Sequence, residues 1–236
     1  MQVVSVIYLS RISLVVQMGV VLVLFLFFFT GWLIVKRFLM KIWALAWLLD
    51  FFALASVAVS TFFPYGELAN RAFYFLYSVL KISFISLLIL GVLLILGYEE
   101  FNRFKKYYLG FSLVFMLIFL WVISAFSPAH LQGVVDIAIG TMALSAGFKG
   151  LTRNVDLYPL KFLSSGLVFY GAVFLHHGFV ILPLFWGRKP PQYMGQVSFI
   201  DAIVELILGV AIFFEPPDLF SQEVQACKPP VGGEPA

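Results

Sequence analysis

Seven long apolar stretches alternate with short polar connections along the chain. They cover residues 12–35, 42–63, 73–97, 107–126, 131–151, 162–186 and 198–214. Each approaches or exceeds the roughly 20 apolar residues that a helix needs to cross a bilayer, and none alternates as a barrel strand does. Because backbone polar groups must be satisfied within lipid, the pattern predicts seven transmembrane helices. We therefore expect an all-α integral membrane bundle of seven helices over residues 1–215, followed by a flexible cytoplasmic tail over 216–236.

The composition supports this interpretation and excludes several classes of protein. Of the 236 residues, 62% are hydrophobic and only 11% are charged, and the mean hydropathy is +1.03. A soluble domain carries roughly 25% charged residues, so this chain cannot cover itself with a polar surface. That excludes a soluble enzyme, a nucleic-acid-binding protein and a disordered regulator. The single cysteine, Cys227, excludes an internal disulfide and a CxxC motif.

Basic residues concentrate in the connections after spans 1, 3 and 5. These are Lys36, Arg37 and Lys41, then Arg103, Lys105 and Lys106, then Lys149, Arg153 and Lys161. The opposite connections carry fewer, and positive charge favours the cytoplasmic side. The bias predicts an N-terminus outside and a C-terminus in the cytoplasm. We expect the bacterial cytoplasmic membrane as the location.

A few ionisable side chains fall inside the apolar stretches. They are Asp50 in span 2, Lys81 in span 3, Asp136 in span 5, His176 and His177 in span 6, and Asp201 and Glu205 in span 7. A charged side chain at the bilayer centre costs about 2.5–3.5 kcal/mol on insertion scales, so such residues usually face the interior of a bundle. Counting along each span places Asp50 nearer the cytoplasm and Lys81, Asp136, His177, Asp201 and Glu205 in the outer half.

Helical spacing groups some of these residues on shared faces. Asp201 and Glu205 are four residues apart, His177 shares a face with Tyr170, and Pro183 predicts a kink beyond the histidines. We expect a polar cavity that opens outward. The ligand-binding residues predicted for it are His176, His177, Asp201, Glu205, Asp136 and Tyr170.

The same polar residues have simpler explanations. Asp201 can lie in the interfacial zone, and the histidines and Asp50 can serve helix packing through hydrogen bonds. Lys81 can extend its amine outward along its stem, or it can pair with Asp50 or Asp136. We expect Lys81 and Asp50 to form an intramembrane charge pair.

The sequence offers no motif typical of an enzyme. It has no HExxH sequence and no glycine-rich phosphate loop. Two histidines and two carboxylates can hold a divalent ion, but their spacing is not characteristic of one, so metal and cofactor remain open. The expected class is a protein without enzymatic activity.

Two stretches carry a family resemblance. The first joins spans 1 and 2, with GWLIVKR at residues 31–37 and WALAWLL at 43–49. The second includes LHH at 175–177, Pro183, PQY at 191–193, and then Asp201, Glu205 and LGVAIFFE at 208–215. Together they resemble the N-terminal multi-helix sensory region that precedes diguanylate cyclase (GGDEF) or histidine kinase modules in bacteria.

The resemblance implies an outward-facing sensor whose ligand reaches His176, His177, Asp201 and Glu205. The sequence departs from the family in two ways: the proline lies further from the histidine, and we expect no output domain after span 7. We therefore expect a sensory or ligand-binding module that signals through helix rearrangement or through a partner, either a membrane protein or a second copy.

Two other functions remain open at the level of sequence. A transporter or ion-translocating protein would use Asp50, Lys81, Asp136 and Glu205 as a relay across the bilayer. An accessory subunit of a larger membrane complex would use the polar residues for helix packing.

Overall fold

The computed structural model describes residues 2–63, 66–96, 128–152, 158–181 and 197–213, and these ranges contain six α-helices. The helices are α1 (Gln2–Val35), α2 (Phe38–Phe62), α3 (Glu67–Leu96), α4 (Pro128–Thr152), α5 (Tyr158–Ile181) and α6 (Val197–Phe213). They correspond to predicted spans 1, 2, 3, 5, 6 and 7. The predicted span 107–126, the tail 216–236 and Pro183 with its predicted kink lie outside the described residues.

Five of these helices are long and apolar enough to cross a membrane. The apolar segments are Leu9–Val35, Phe38–Phe62, Leu68–Ile95, Gln132–Thr152 and Leu160–Ile181. The sixth helix, α6, has 17 residues and is about 25 Å long at 1.5 Å per residue, a little less than the hydrocarbon thickness of a bilayer. The chain is an all-α integral membrane protein, and its orientation stays a prediction.

The six described helices form a closed ring. Each packs against the next described helix along the chain, and α6 packs against α1. We call the end of the bundle that holds the starts of α1, α3, α4 and α6 the upper end. The lower end holds the connection between α1 and α2, where Lys36 and Arg37 lie.

Unlike a soluble bundle, the ring is apolar on its outside as well as in most of its interior. Large apolar side chains cover the outside, among them Val23 with 64% of its surface exposed and Ile34 with 76%. Charged side chains such as Asp50, Lys81 and Glu205 are buried inside the ring. An outer surface of this kind suits contact with lipid, which is as apolar as the side chains themselves.

A two-residue connection joins α1 to α2 at the lower end. Lys36 adopts a left-handed backbone with φ 54, and its N–H donates to the Trp32 carbonyl at 2.7 Å. Arg37 is extended, and α2 begins at Phe38. The apolar run predicted a later start, at residue 42, because Lys41 interrupts it. In the structure the Lys41 ammonium lies 5.6 Å from the centre of the Trp32 ring, a contact that offsets part of its charge within the helix.

Polar residues also extend the helices at the upper end. α1 begins at Gln2 and α3 at Glu67, both before the apolar runs that marked them. The Arg11 guanidinium donates to the Thr61 carbonyl at 3.0 Å, and the Ser60 hydroxyl donates to Asn70 Oδ1 at 3.2 Å. These bonds connect α1 to α2 and α2 to α3 beyond the apolar runs.

Helices α4 and α5 approach each other along a seam of small residues. Gly133, Gly140 and Gly147 repeat every seven residues on α4, and Ser164, Gly171 and Gly178 do so on α5. A Cβ atom built at Gly140 would lie 2.7 Å from the Gly171 carbonyl oxygen, and one built at Gly171 would lie 2.7 Å from the Gly140 oxygen. Small residues permit two helix backbones to come this close, and at Gly140 and Gly171 even a methyl group would collide with the facing backbone. The small residues of α4 therefore mark its contact with α5.

The seam predicts that adding one methyl group destabilises the protein at a seam glycine but not at an exposed glycine. Gly140→Ala should lower the free energy of unfolding by about 1–3 kcal/mol because the new Cβ meets backbone atoms of α5 that cannot move aside. Gly19→Ala is the matched control, since a Cβ there meets nothing within 4 Å on exposed α1 surface. Thermal unfolding of the detergent-solubilised variants measures the difference. Equal midpoints for the two variants would contradict the close approach.

Candidate functional site: a buried charge network

A lysine and two carboxylates meet at the middle of the bundle. The Lys81 ammonium donates to Asp50 Oδ1 at 2.5 Å and to Glu205 Oε1 at 2.8 Å, which joins α3 to both α2 and α6. The side chains are 1%, 0% and 0% exposed, respectively. In the low dielectric of such a site these ionic hydrogen bonds are strong, and the loss of one partner is correspondingly costly.

The three residues lie at one level of the bundle. Asp50 is at the centre of α2 (Phe38–Phe62), Lys81 at the centre of α3 (Glu67–Leu96) and Glu205 at the centre of α6 (Val197–Phe213). Counting from the ends of the apolar runs had placed Asp50 deeper than the other two. For Lys81 the difference in depth disappears because α3 begins at Glu67, before its apolar run, so Lys81 lies further from the end of its helix.

A fourth helix contributes a side-chain amide. Gln17 on α1 is buried, and its Nε2 donates to Glu205 Oε1 at 2.9 Å. The same carboxylate oxygen therefore accepts from both Lys81 and Gln17. Sequence reasoning missed Gln17, although it is the only side-chain amide in the apolar stretch 12–35. We call Gln17, Asp50, Lys81 and Glu205 the Lys81 network.

Aromatic rings enclose the ammonium group on its remaining sides. Its Nζ lies 5.1 Å from the centre of the Phe84 ring and 5.5 Å from that of Phe174. Trp47 packs on Phe84 with ring centres 5.1 Å apart, and Tyr170 stacks on Phe174 at 4.5 Å. Ring faces attract a cation, so Phe84 and Phe174 support the charge of Lys81 as well as excluding water from it.

A second polar contact connects α5 to α6 one turn above Glu205. His177 Nδ1 lies 3.4 Å from Asp201 Oδ1, and both side chains are buried. Among the described residues Asp201 Oδ1 accepts no hydrogen bond, so the contact is an electrostatic one. It is an ion pair when the imidazole carries a proton.

Of the remaining predicted ligand-binding residues, Asp136 and Tyr170 are buried inside the ring and His176 is exposed. Asp136 on α4 is buried, its Oδ1 has no hydrogen-bond partner among the described residues, and it interacts electrostatically with Asp201 and Lys81. The Tyr170 hydroxyl is buried and also lacks a partner in the described part of the chain. His176 points away from the interior, because its side chain is exposed while its ring centre lies 6.1 Å from that of His177. The expectation of one cluster fails for His176 because neighbouring helical residues differ in direction by about 100°.

The interior has no arrangement typical of a metal centre. Within the described ranges, no group of three or more His, Cys, Asp or Glu side chains is placed to hold a metal ion. His177 and Asp201 supply two potential ligands, whereas a structural zinc site needs four and a catalytic one needs three. The described residues thus give no support to the divalent ion that the sequence left open.

Comparison with protein-family models, with curated proteins and with solved structures finds no match to this chain. The class defined by the fold is an integral membrane helical bundle.

Removal of the lysine charge alone should destabilise the protein more than removal of all three charges of the Lys81 network. Lys81→Met leaves two buried carboxylates without their cation and should destabilise the protein by about 3–5 kcal/mol. The triple variant Lys81→Met/Asp50→Asn/Glu205→Gln removes the three charges together and should recover most of that loss. Thermal unfolding in detergent compares the two variants.

Lys149→Met serves as the control, since Lys149 is an exposed lysine near the end of α4. We expect its free energy of unfolding to stay within about 0.5 kcal/mol of that of the unmodified protein. A Lys81→Met variant as stable as this control would contradict a structural role for the network.

Proposed function

We propose that this chain is a membrane-embedded sensory or ligand-binding module that lacks enzymatic activity. Its ligand changes the charge of the polar interior, and the change is transmitted as a movement of α6 relative to the other helices. The bacterial cytoplasmic membrane is the proposed location. The receiver of the signal is a partner membrane protein or a second copy of the chain.

The observation that carries this proposal is the way in which α6 is held. Glu205 contacts Lys81 of α3 and Gln17 of α1, and Asp201 contacts His177 of α5 one turn above. Around these contacts α6 packs through apolar residues such as Leu208 and Ile212, which are buried. Apolar packing has little directional preference, so the polar contacts define the register of α6.

The position of the polar groups supports a stimulus from outside. Asp136, His177 and Asp201 all lie above the Lys81 network, toward the upper end of the ring. The basic residues Lys36, Arg37, Lys41, Lys149 and Lys161 belong to the lower end. If the lower end is cytoplasmic, as positive charge favours, a ligand reaches the polar groups from the external side.

Ion or proton translocation is the second candidate, and the direct contact of Asp50, Lys81 and Glu205 favours it. A relay needs titratable groups on both sides of this contact. Below it the described residues include no buried titratable side chain, and two indole rings lie there: Trp47 packs on Phe84, and Trp43 lies directly against Gly91. An indole N–H donates but does not accept a proton, so the lower half favours the sensory proposal.

Neutralising Glu205 should move α6 while leaving the opposite side of the ring in place. In a Cys227→Ser background, nitroxide labels at Phe52→Cys and Ile203→Cys report the distance from α2 to α6; both positions are exposed. Labels at Phe52→Cys and Phe148→Cys report the distance from α2 to α4. With Glu205→Gln we expect the distance from α2 to α6 to shift by about 2 Å, a size typical of helix shifts in switching proteins. The distance from α2 to α4 should stay unchanged.

The control variant is Ser145→Ala, which removes a hydroxyl from the exposed face of α4. It should leave both distances unchanged. Unchanged distances in Glu205→Gln as well would contradict a sensory role and leave the network as a packing device, as expected of an accessory subunit. Proton flux through reconstituted vesicles that is lost in Glu205→Gln would favour translocation instead.

A further inference from the structure

The four carboxylates of the interior share one unusual property. Each has a buried oxygen that accepts no hydrogen bond from the described part of the chain: Asp50 Oδ2, Asp136 Oδ1, Asp201 Oδ1 and Glu205 Oε2. A buried carboxylate normally has its lone pairs satisfied by donors, because an unsatisfied buried acceptor is costly and an unpaired charge more so. These oxygens therefore require a further partner.

The charges of the described interior do not balance. Four carboxylates face one ammonium, that of Lys81, which Asp50 and Glu205 already share. His177 is the other basic group inside, and even a protonated imidazole leaves an excess of negative charge. Asp136 has no cation within salt-bridge distance among the described residues, although it interacts electrostatically with Asp201. Two such carboxylates in one low-dielectric interior cannot both stay ionised at a tolerable cost.

We propose that Asp136 and Asp201 form a binding site for a proton, and that the proton is the ligand of the sensory module. The inference rests on the proposed function for its role in signalling, but the site itself stands on the unpartnered oxygens and the charge excess. Binding converts a carboxylate and a proton into a carboxylic acid. The acid gains an O–H donor, and the Tyr170 hydroxyl is a nearby group without a partner in the described ranges.

A proton suits these residues better than a metal ion. One imidazole and two carboxylates on three different helices do not meet at the short distances that metal coordination requires, and the described residues contain no metal-ligating group of three. A proton needs neither a preformed cavity nor a fixed coordination number. It binds to one oxygen and removes one charge.

Every helix of the ring presents groups that influence this site. They are Gln17 on α1, Asp50 on α2, Tyr77 and Lys81 on α3, Asp136 on α4, Tyr170 and His177 on α5, and Asp201 and Glu205 on α6. Lys81 favours ionised carboxylates, whereas Asp50 and Glu205 oppose further negative charge. Since Asp201 also contacts His177, protonation of Asp201 changes the contact between α5 and α6.

Infrared difference spectroscopy detects the proton directly. The protein in lipid vesicles is titrated from about pH 8.5 to about pH 5.5, a range in which exposed aspartates stay ionised. We expect the carbonyl stretch of a protonated carboxylic acid to grow as the pH falls. The band should be reduced in Asp136→Asn and in Asp201→Asn, and lost in the double variant.

Glu67→Gln is the matched control, because it makes the same carboxylate-to-amide change at the first residue of α3. It should keep the full band. A band that persists in the double variant, or a band that is absent from the unmodified protein, would overturn the proposal. So would a shift of the thermal midpoint on adding Na⁺ at constant pH that the double variant abolishes, since the ligand would then be an alkali ion.

Thermal unfolding over the same pH range gives a second test. An aspartate of the unfolded chain is ionised throughout, so a proton held only by the folded protein makes stability rise as the pH falls. As the pH falls, we expect the midpoint of the unmodified protein to rise by several degrees relative to that of the double variant, because the histidines titrate in both proteins and only the unmodified protein binds the additional proton. The same pH dependence in both proteins would overturn the proposal.

The infrared experiment tests the proton site, and the spin-label experiment tests the sensory function, so either proposal can be rejected without the other. A pH-dependent carboxylic acid band together with an unmoved α6 would retain the proton site and reject the sensory function. A moving α6 without the band would retain the sensory function and reject the proton as its ligand.

Discussion

The arrangement of the bundle depends on one buried ammonium group. Lys81 contacts Asp50 of α2 and Glu205 of α6, and the rings of Phe84 and Phe174 enclose it. A lysine in the apolar interior of a membrane protein is tolerated only if charge and hydrogen bonds compensate it. The helices that supply the compensation are therefore held in one relative position.

The ring closes through the same group of residues. Glu205 accepts from both Lys81 and Gln17, so the first and the last described helices meet at an oxygen that the lysine also contacts. Below this point Leu24 packs closely against Gly209 and continues the contact of α1 with α6. A change of charge at Glu205 thus acts on three helices, which is the physical basis for proposing a response in α6.

The two sides of the ring differ in the kind of contact that holds them. Along the α4–α5 seam the backbones are in van der Waals contact at Gly140 and Gly171, and close packing of this kind leaves no room for a side chain. Between α5 and α6 the polar contact is His177 with Asp201, whose strength varies with protonation. The structure therefore combines an interface insensitive to charge with one that is sensitive to it.

The sequence by itself determined the class of the protein and identified the ionisable residues that lie within its apolar runs. The apolar runs predicted the helices, because a bilayer demands a minimum apolar length, and their outward faces need no partner more specific than lipid. The rarity of charge within those runs singled out Asp50, Lys81, Asp136, His177, Asp201 and Glu205. The ends of the helices were less predictable, since Asn70 and Lys41 are polar and still helical.

Only the tertiary structure decided which of these residues meet. Periodicity describes the faces of one helix and carries no information about the neighbouring helix. The sequence therefore predicted a pair of Lys81 with Asp50 but did not add Glu205 or Gln17 to it. The ring places Glu205 and Gln17 beside Lys81, separates Asp136 from it, and turns His176 outward. The charged side chains within the apolar runs determined that a polar network must lie inside the bundle, and the closure of α6 on α1 decided how its charges pair.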